Sequence, residues 1–340
     1  MNSRTSVPVP ASRLALRWII VAILVIALLI GGALTANRFL FSAQQQVSNL
    51  QHYLVQGDGA RALGLMQASV PQGDAVALDG EVLQRTQDGI TEFAVDAAVP
   101  SDQDPDLRLV TAHYKAAGVD KESTYTLRHT GKNWLFFDTW AFEPSTLPTV
   151  QIKANTVNEV NVNQQAIPLE AGTSTLPVFY PAVLDASFST KNFEADTRGV
   201  VVTGPSKEPV EIALKTQPTK EFIASINAKV KSYLDECATQ QVLMPSGCPF
   251  AYNTTARVDS SSIAWSIDTY PTIEVSYYNG AWILSPLEVK ASVDLVEQDL
   301  RTGTKEAKKV TEKFSFTAQL TTSTTEVSVV PVADGEQEAH

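Results

Sequence analysis

The side chains best suited to catalysis in this chain are its four histidines, and their spacing matches no common catalytic or metal-binding motif. His113 falls in a predicted strand beside Tyr114 and is a candidate general base, although a hydrogen-bonded residue on the solvent side of a sheet is the alternative. His52 falls in a predicted helix, His129 beside a turn and His340 at the C-terminus. We therefore predict a protein that is not an enzyme and needs no cofactor.

Three alternating carboxylates, Asp102, Asp104 and Asp106, have the spacing with which a calcium-binding loop begins. The rest of such a loop is not present. Leu107 stands where the loop needs glycine, and His113 stands where it needs a bidentate glutamate. We therefore interpret these residues as a solvated acidic turn and predict no metal site.

Cys237 and Cys248 are the two cysteines of the chain. In an oxidising compartment such a pair is expected to form a disulfide. The closed loop would contain about a dozen residues, and chain-entropy arguments give roughly 3 kcal/mol of stabilisation. Two free buried thiols are the alternative, whereas a metal site is disfavoured because no histidine lies nearby to complete four ligands.

Aromatic side chains form two groups that could wall a small-molecule pocket between a helix and a curved sheet. Their alternative role is ordinary packing in a hydrophobic core. The first group is Tyr125, Trp134, Phe137 and Trp140, and the second is Trp265, Tyr270, Tyr277 and Trp282.

The apolar run Trp18 to Ala36 contains 19 residues and no charge, a length that as a helix just crosses a hydrocarbon core about 30 Å thick. Arg4, Arg13 and Arg17 precede it without any acid, which places the N-terminus in the cytoplasm by the positive-inside rule, with Trp18 as an interfacial anchor. A cleaved signal peptide is the alternative, but it needs a shorter apolar region and small residues at the cleavage site. We therefore predict a single-span protein of the plasma membrane whose bulk lies outside the cytoplasm.

The charge of the chain excludes one class of partner. The formal net charge is −11, and without the three arginines of the first 17 residues it is −14. Such an acidic exterior argues against nucleic acid, and against binding to anionic headgroups or wall polymers by bulk electrostatics. A local basic patch remains compatible with an anionic ligand.

Helical periodicity outside the apolar run is found in two places. Val47, Leu50 and Leu54 recur on one face of a predicted helix, and a second helix begins with Thr219 as its cap. The face of the second helix consists of Phe222, Ile226, Val230, Tyr233 and Cys237.

Strand patterns follow each helical region, and turn residues separate the strands. Gly131-Lys132 and Asn279-Gly280 are read as hairpin turns. Between residues 147 and 218 only short β segments occur, which predicts a small β-sandwich. The strands predicted in the first region are Val76–Gln84, Ile90–Val99, Leu107–Lys115, Ser123–His129 and Asn133–Phe142.

These patterns predict an α+β fold with two helix-plus-antiparallel-sheet domains on either side of a small all-β sandwich. The flanking domains read alike, because each pairs a leading helix with a Gly-then-Trp hairpin. The predicted boundaries are a cytoplasmic segment (1–17), a transmembrane helix (18–36), a first domain (37–147), a sandwich (148–218), a second helix-plus-sheet domain with the disulfide (219–332) and a disordered tail (333–340).

Several short motifs carry a resemblance to known families. Gly57–Leu63 after a helix, and the Gly-x-x-Trp strand within Tyr125–Trp140, look like NTF2-like (cystatin-like) modules. Val160–Asn163 and Pro177–Pro181 look like PEGA-type β-sandwiches. Together with an N-terminal anchor, the layout over residues 18–330 resembles TcaA-type (teicoplanin-resistance-associated) bacterial envelope proteins. This resemblance implies a role linked to the cell wall or to envelope stress.

We therefore expect a non-enzymatic, single-pass envelope protein that acts as an extracytoplasmic scaffold, sensor or accessory subunit. Its partners would be the membrane and an envelope protein or cell-wall component, and not nucleic acid. The first alternative is a module that binds a small molecule or wall fragment in an aromatic-lined pocket. The second is an NTF2-like enzyme with His113 as its base.

Overall fold

A computed structural model describes residues 11–332 except 103, 135–136, 155, 279–280 and 323–326. Strands take up 44% of the chain. The α-helices in this part are α1 (Ala11–Leu40), α2 (Ala43–Gln56), α3 (Gly59–Met66), α4 (Gly80–Gln87) and α5 (Lys220–Ala238). The strands are β1 (Ile90–Val95), β2 (Val99–Pro100), β3 (Leu107–Ala116), β4 (Val119–Asn133), β5 (Phe137–Phe142), β6 (Thr149–Lys153), β7 (Glu159–Val162), β8 (Gln165–Pro168), β9 (Thr173–Pro177), β10 (Ala182–Ser189), β11 (Phe193–Val202), β12 (Val210–Ala213), β13 (Thr216–Pro218), β14 (Arg257–Val258), β15 (Ala264–Thr269), β16 (Val275–Tyr278), β17 (Ala281–Leu284), β18 (Leu287–Gln298), β19 (Lys305–Thr322) and β20 (Val327–Val332).

The predicted α+β class is wrong, because strands dominate the described chain. In one place a predicted strand is instead helical. The predicted strand Val76–Gln84 is a short 3-10 turn followed by α4. Asp79 and Gly80 interrupt the alternation there, and Val82 and Leu83 are then buried on a helical face.

The predicted transmembrane helix over residues 18–36 is also corrected. The segment is helical and lies within α1. However, no helix in the described part of the chain combines the length and the mean hydropathy that a membrane crossing needs. An uncharged run of 19 residues was close to the shortest length that spans a bilayer core, so the prediction had little margin.

The first unit (residues 43–142) packs α2, α3 and α4 against an antiparallel sheet with the strand order β1-β3-β4-β5, to which β2 adds at β3. The predicted face of α2 is confirmed, since Val47, Leu50 and Leu54 are buried. Gly57 ends this helix with φ of 71°, where a Cβ would lie 2.5 Å from the Gly80 carbonyl oxygen. Only glycine allows that turn and that approach together.

The middle unit (residues 149–218) contains two small sheets. One has the order β13-β11-β10-β7-β8, and the other has the order β12-β6-β9 with β12 parallel to β6. Buried residues of both sheets join those of the first unit in one continuous apolar core that extends from Ala43 to Leu214. A module of about 70 residues buries little surface when it folds alone. The middle unit is therefore stabilised by the core that it shares with the first unit.

The third unit (residues 220–332) packs α5 against a sheet in which β14 and β15 both pair with β18, which is followed by β19 and β20. Thr219 caps α5 by accepting a hydrogen bond from the Phe222 N–H at 3.1 Å. Leu234 completes the buried face that sequence predicted, and Tyr233 is half-buried beside it. This unit has its own core.

The two predicted hairpin turns have different outcomes. Gly131 and Lys132 are not a turn but lie within β4, beside a bulge where the register against β5 shifts. β4 ends at Asn133, and Trp134 follows it with φ of 51°. Asn279-Gly280 lies outside the described residues, as does the predicted tail 333–340 with His340.

Candidate functional site

Tyr125, which was predicted to line a pocket, instead joins the first unit to the middle unit. Its ring lies parallel to that of Tyr180 at 5.1 Å and edge-on to Phe142 at 5.8 Å. The Tyr125 hydroxyl donates a hydrogen bond to the Tyr180 carbonyl at 2.8 Å. Complete burial raises the pKa of the Tyr125 phenol well above its usual value, so this donor stays protonated.

Two further hydrogen bonds cross the same boundary. The Gln87 amide donates to the Pro181 carbonyl at 2.9 Å, and the Ser123 hydroxyl donates to the Thr203 carbonyl at 2.6 Å. Gln87 and Ser123 are buried, so these bonds satisfy groups that would otherwise be costly to bury. We call this group of residues the first joint, and it consists of Tyr125, Tyr180, Gln87 and Ser123.

A second joint connects the middle unit to the third unit. Phe193 of β11 packs between Phe222 of α5, at a ring distance of 4.9 Å, and Trp282 of β17, at 4.6 Å. Tyr277 on the paired strand β16 meets Trp282 edge-on at 5.3 Å. The Thr219 hydroxyl, at the start of α5, donates to the Lys191 carbonyl at 2.7 Å. Trp282 and Tyr277 therefore serve in an interface between units.

The other first-group aromatics are dispersed. Trp134 is 87% exposed. Phe137 packs against Phe41 at a ring distance of 4.5 Å, which places it beside the segment that follows α1. Trp140 lies 5.0 Å from the ring of His129 on the neighbouring strand β4. These side chains do not form one wall.

In the third unit, Trp265 is buried and its indole N–H donates to the Val242 carbonyl at 2.8 Å. It borders a narrow space with no room for a water molecule. Tyr270 lies at the surface, where its hydroxyl donates to Asp235 and Lys231 Nζ lies 4.4 Å from the centre of its ring. Trp265 and Tyr270 therefore lie apart, one in the core of the third unit and the other at its surface.

His113 faces solvent on β3 with its side chain half exposed. Its Nε2 lies 2.9 Å from Asp96 Oδ2, and its Nδ1 lies 3.8 Å from Glu122 Oε2. The described cavities do not include it. The imidazole and the two carboxylates beside it form a polar cluster on an open sheet face. Such a face offers no enclosed position in which a substrate could be held against the imidazole.

The acidic turn is held by the protein's own groups. Asp104 accepts hydrogen bonds from the Asp106 N–H and from Arg128 Nη1, each at 2.9 Å. These two bonds, the backbone one first, lower the pKa of Asp104. Arg128 also pairs with Glu143 at 3.0 Å. Over the residues that the structure describes, no group of three or more acidic, histidine or cysteine side chains could hold a metal ion.

The disulfide between Cys237 and Cys248 is present, with the two Cα atoms 5.8 Å apart. It ties the buried end of α5 to the loop that follows it. Tyr233 strengthens the same connection, because its hydroxyl donates to the Gly247 carbonyl at 2.6 Å. The two cysteines, taken with an oxidising compartment, predicted this bond correctly.

The predicted anchor residues lie on α1. Trp18 is 69% exposed, Arg17 is also exposed, and the side chain of Arg13 is outside the described residues. The end of α1 is fastened to the first sheet, because Asn37 Nδ2 donates to Asp138 Oδ2 at 2.7 Å and the Asp138 N–H donates to Asn37 Oδ1 at 2.8 Å. Sequence reasoning missed this clamp, since no pattern links residues 101 positions apart.

The charge state of Asp138 depends on the clamp. Burial acts to raise the pKa of this carboxyl, but hydrogen bonds from Asn37, His129 and Lys132 outweigh it and leave the pKa below its usual value. His129 Nε2 lies 3.1 Å and Lys132 Nζ 3.3 Å from Asp138 Oδ1. The carboxylate is therefore ionised at neutral pH and able to accept from Asn37.

A polar groove of about 310 Å³ lies beside β14. It presents two cations, Arg257 and Lys305, and one acid, Asp259, whose carboxylate lies 3.9 Å from Lys305 Nζ. Ser260 and Gln298 supply further polar groups. This composition suits a small anionic ligand better than an apolar one.

No protein-family model matches the chain, and searches of curated proteins and of solved structures found no match. The resemblance to TcaA-type envelope proteins therefore stays a prediction.

Proposed function

We propose that the chain is a non-enzymatic interaction protein of the extracytoplasmic space that acts as a scaffold, sensor or accessory subunit in the cell envelope. The two joints carry this proposal. Aromatic residues that could have walled a pocket are instead used to fix three units against one another. A chain built in this way suits the presentation of binding surfaces at fixed separations.

The disulfide supports the location. The bond closes a short loop, and its Cys237 end is 2% exposed while its Cys248 end is half-buried. Structural disulfides persist in oxidising compartments and are rare in the cytosol. The layout resemblance to envelope proteins points to the same compartment.

The surroundings of His113 support the non-enzymatic assignment. The imidazole was the catalytic candidate of the sequence, and it lies on an open sheet face between Asp96 and Glu122. General-base catalysis needs a substrate held within hydrogen-bond reach of the base and shielded from bulk water. An open strand surface provides neither condition.

Helix α1 exposes a run of apolar side chains. Exposed apolar patches of this kind on a folded chain mark interaction sites. The clamp of Asn37 on Asp138 and the packing of Phe41 on Phe137 hold the end of this helix on the first unit. The exposed side chains are Leu16, Trp18, Ile19, Ile20, Val21, Ile23, Leu24, Val25, Ile26, Leu28, Leu29 and Ile30.

Photo-crosslinking in intact cells tests the proposal. A benzophenone amino acid is placed at Leu24 on α1, at Val119 at the start of β4, or at Leu300 between β18 and β19, all of which are exposed. We expect at least one of these positions to give a crosslinked adduct with another envelope component, and the mass of that adduct to be the same in repeated experiments. The same probe at Ile226, which is fully buried, is the matched control and should give none.

The proposal fails if no exposed position gives an adduct above the Ile226 control when the chain is present at its natural level. Adducts with cytosolic proteins alone would contradict the extracytoplasmic location. Either result would leave the fold intact and reject the function.

The groove beside β14 favours a second candidate function, the binding of a small anionic molecule or wall fragment. Arg257 and Lys305 line it within a chain whose net charge is −11. Titration calorimetry of the full chain with inorganic phosphate, and with a glycerol phosphate oligomer, tests this function. Binding that disappears in Arg257→Glu would support it, and the absence of heat with both probes would reject it.

A further inference from the structure

Strand β19 has one free edge over most of its length. It pairs with β18 from Lys305 to Phe316, and β20 pairs only with Thr317–Thr322. In the described part of the chain, no second strand pairs with Lys305–Phe316, and the backbone hydrogen bonds outside the sheets do not involve these residues. Residues of an antiparallel strand direct their backbone groups to alternate edges, so about half of the N–H and C=O groups in this stretch point away from β18. We call this stretch the β19 edge.

The other described elements leave the β19 edge uncovered. Strand β17 ends at Leu284 and does not pair with β18, whose first residue, Leu287, lies opposite Phe316. β17 therefore lies beyond this pair, beside the end of β19 with which β20 pairs. The loop after α5 lies over one face of the sheet, where the Tyr252 hydroxyl donates to Glu297 of β18 at 2.9 Å.

The β19 edge is long and regular. Its register against β18 continues without a shift from Lys305 to Phe316, and the stretch contains neither proline nor glycine. Natural sheets use bulges, prolines and short strands to keep their edges from pairing. Lysine is a further device of this kind, but here glutamates interrupt the lysines, so pairing is allowed where unlike charges meet. The charged residues of the edge are Lys305, Glu306, Lys308, Lys309, Glu312 and Lys313.

These charges select one register for the pairing of two copies. Two copies related by a two-fold axis pair antiparallel, and directly opposite residues point to the same face, so the axis passes beside one central residue. With Val310 at the centre, Lys308 of each copy lies opposite Glu312 of the other, and no like charges face each other. Every other centre from Glu306 to Lys313 sets two lysines or two glutamates opposite each other.

The side chains of the favoured register are available for this contact. Glu312 is exposed and has no ion-pair partner among the described residues. Lys308 is held on the same face, because its Nζ donates to the Tyr252 hydroxyl at 2.8 Å and lies 3.4 Å from Glu297. An ammonium group has three donors, so Lys308 can also donate to a carboxylate of a second copy.

We propose that two copies of the chain bind each other through the β19 edge, antiparallel and centred on Val310. The sheets of the two third units then form one continuous sheet, in which the open backbone groups of both edges are paired. Two-fold symmetry supplies both Lys308–Glu312 contacts from one pair of residues, which favours a second copy over an unrelated strand. The inference goes beyond the proposed function, because it gives the scaffold two identical sets of binding surfaces.

Disulfide trapping in the full chain tests the register. A mild detergent is present throughout, so that the exposed apolar side chains of α1 do not associate. Val310 faces itself across the axis, and the Cα atoms of an antiparallel pair are about 4.5–5.5 Å apart, within the range of a disulfide. We expect Val310→Cys to give a covalent dimer on oxidation. Ala307→Cys alone and Lys313→Cys alone should give none, but their mixture should, because these positions face each other in the register.

Sedimentation velocity tests the charge pairs. Glu312→Lys should weaken dimerisation at least about tenfold, because it sets lysine opposite Lys308 at both contacts. Adding Lys308→Glu exchanges the two charges and should restore most of the affinity, which a folding defect would not allow. Lys121→Glu, an exposed charge reversal on β4 in the first unit, is the matched control and should dimerise like the unchanged chain.

Three results would overturn the inference. The first is that Val310→Cys forms no more covalent dimer than Ala307→Cys, and the second is that the mixture with Lys313→Cys forms none. The third is a loss of dimer in Glu312→Lys that the exchanged variant does not reverse, since the register would then not depend on these charges.

Hydrogen exchange of the β19 edge separates a second copy from other occupants. We expect amides of Lys305–Phe316 to become more protected as the concentration of the chain rises. Protection that does not depend on concentration and is lost when the chain is ended at Val332 would assign the edge to residues 333–340 and reject the dimer. Outward-facing amides that stay unprotected at every concentration would also reject it.

Discussion

The ring of Phe193 lies 4.6 Å from the ring of Trp282, and the two planes differ by 21°. Phe193 belongs to the sheet of the middle unit and Trp282 to a hairpin of the third unit. The third unit has a core of its own, so this contact and that with Phe222 are aromatic connections between its core and the rest of the chain. Stacked aromatic pairs add to burial and fix orientation.

Truncating this connection should separate the unfolding of the third unit from that of the rest. Phe193→Ala removes both ring contacts, and we expect a loss of about 3 kcal/mol because the side chain is only partly buried. Urea unfolding followed by hydrogen exchange should then show the core around Ile226 opening at a lower concentration than the core around Leu50. Phe188→Ala, in the neighbouring strand β10, is the control. If both cores of Phe193→Ala still open together, the joint does not couple them.

The disulfide prediction concerns the end of α5. Replacing Cys237 and Cys248 by alanine should destabilise the chain by up to about 3 kcal/mol, because the unfolded chain gains the freedom that the loop closure removed. Hydrogen exchange should rise first in α5 and leave the first unit unchanged. Thiol titration of the denatured, unreduced protein should find no reactive thiol, and two thiols per chain would contradict the bond.

Removing the hydroxyl of Tyr125 should lower the free energy of unfolding more than removing the hydroxyl of another tyrosine of the first unit. Tyr125→Phe leaves the Tyr180 carbonyl without its donor, at a cost of about 1–2 kcal/mol. Tyr53→Phe removes a hydroxyl with no hydrogen bond among the described residues, so its unfolding free energy should change by less than about 0.5 kcal/mol. Chemical denaturation measures both values, and equal losses would contradict the role of Tyr125.

The clamp between Asn37 and Asp138 should depend on pH. The pKa of Asp138 is lowered in the folded chain, so its contribution to stability is present above the unfolded value and is lost as the pH falls through the folded value. Carboxyl-carbon NMR should find the pKa of Asp138 below its usual range, and Asn37→Ala should raise it. The difference in stability between Asn37→Ala and the unchanged chain, about 1 kcal/mol at pH 7, should become smaller at acid pH. It should not vanish, because the bond from the Asp138 N–H to Asn37 Oδ1 does not involve the carboxylate. Identical pKa values in both proteins would contradict the clamp.

Local patterns predicted the parts of the fold that local patterns control. The cap at Thr219 and the buried face of α5 followed from residue types at helical spacing, and the disulfide followed from a count of two cysteines. Most strands of the first sheet also lie where alternation placed them. These features depend on neighbours within a few residues, or on one pair.

The joints could not be predicted, because they depend on contacts between distant strands. An aromatic residue such as Tyr125 or Phe193 looks the same in the sequence whether it lines a pocket or bridges two units. Only the packing distinguishes the two roles. The expected similarity of the two flanking domains failed for a related reason. In the first unit β4 and β5 belong to the main sheet, whereas in the third unit β16 and β17 form a separate hairpin.

The distance between the first and third units is the most direct test of a scaffold with fixed surfaces. Spin labels at Lys121→Cys on β4 and Lys290→Cys on β18, both exposed, report this distance by double electron–electron resonance. We predict one narrow distance distribution in the otherwise unchanged chain and a broad one when Phe193→Ala is added. A distribution that is already broad with Phe193 in place would contradict the scaffold.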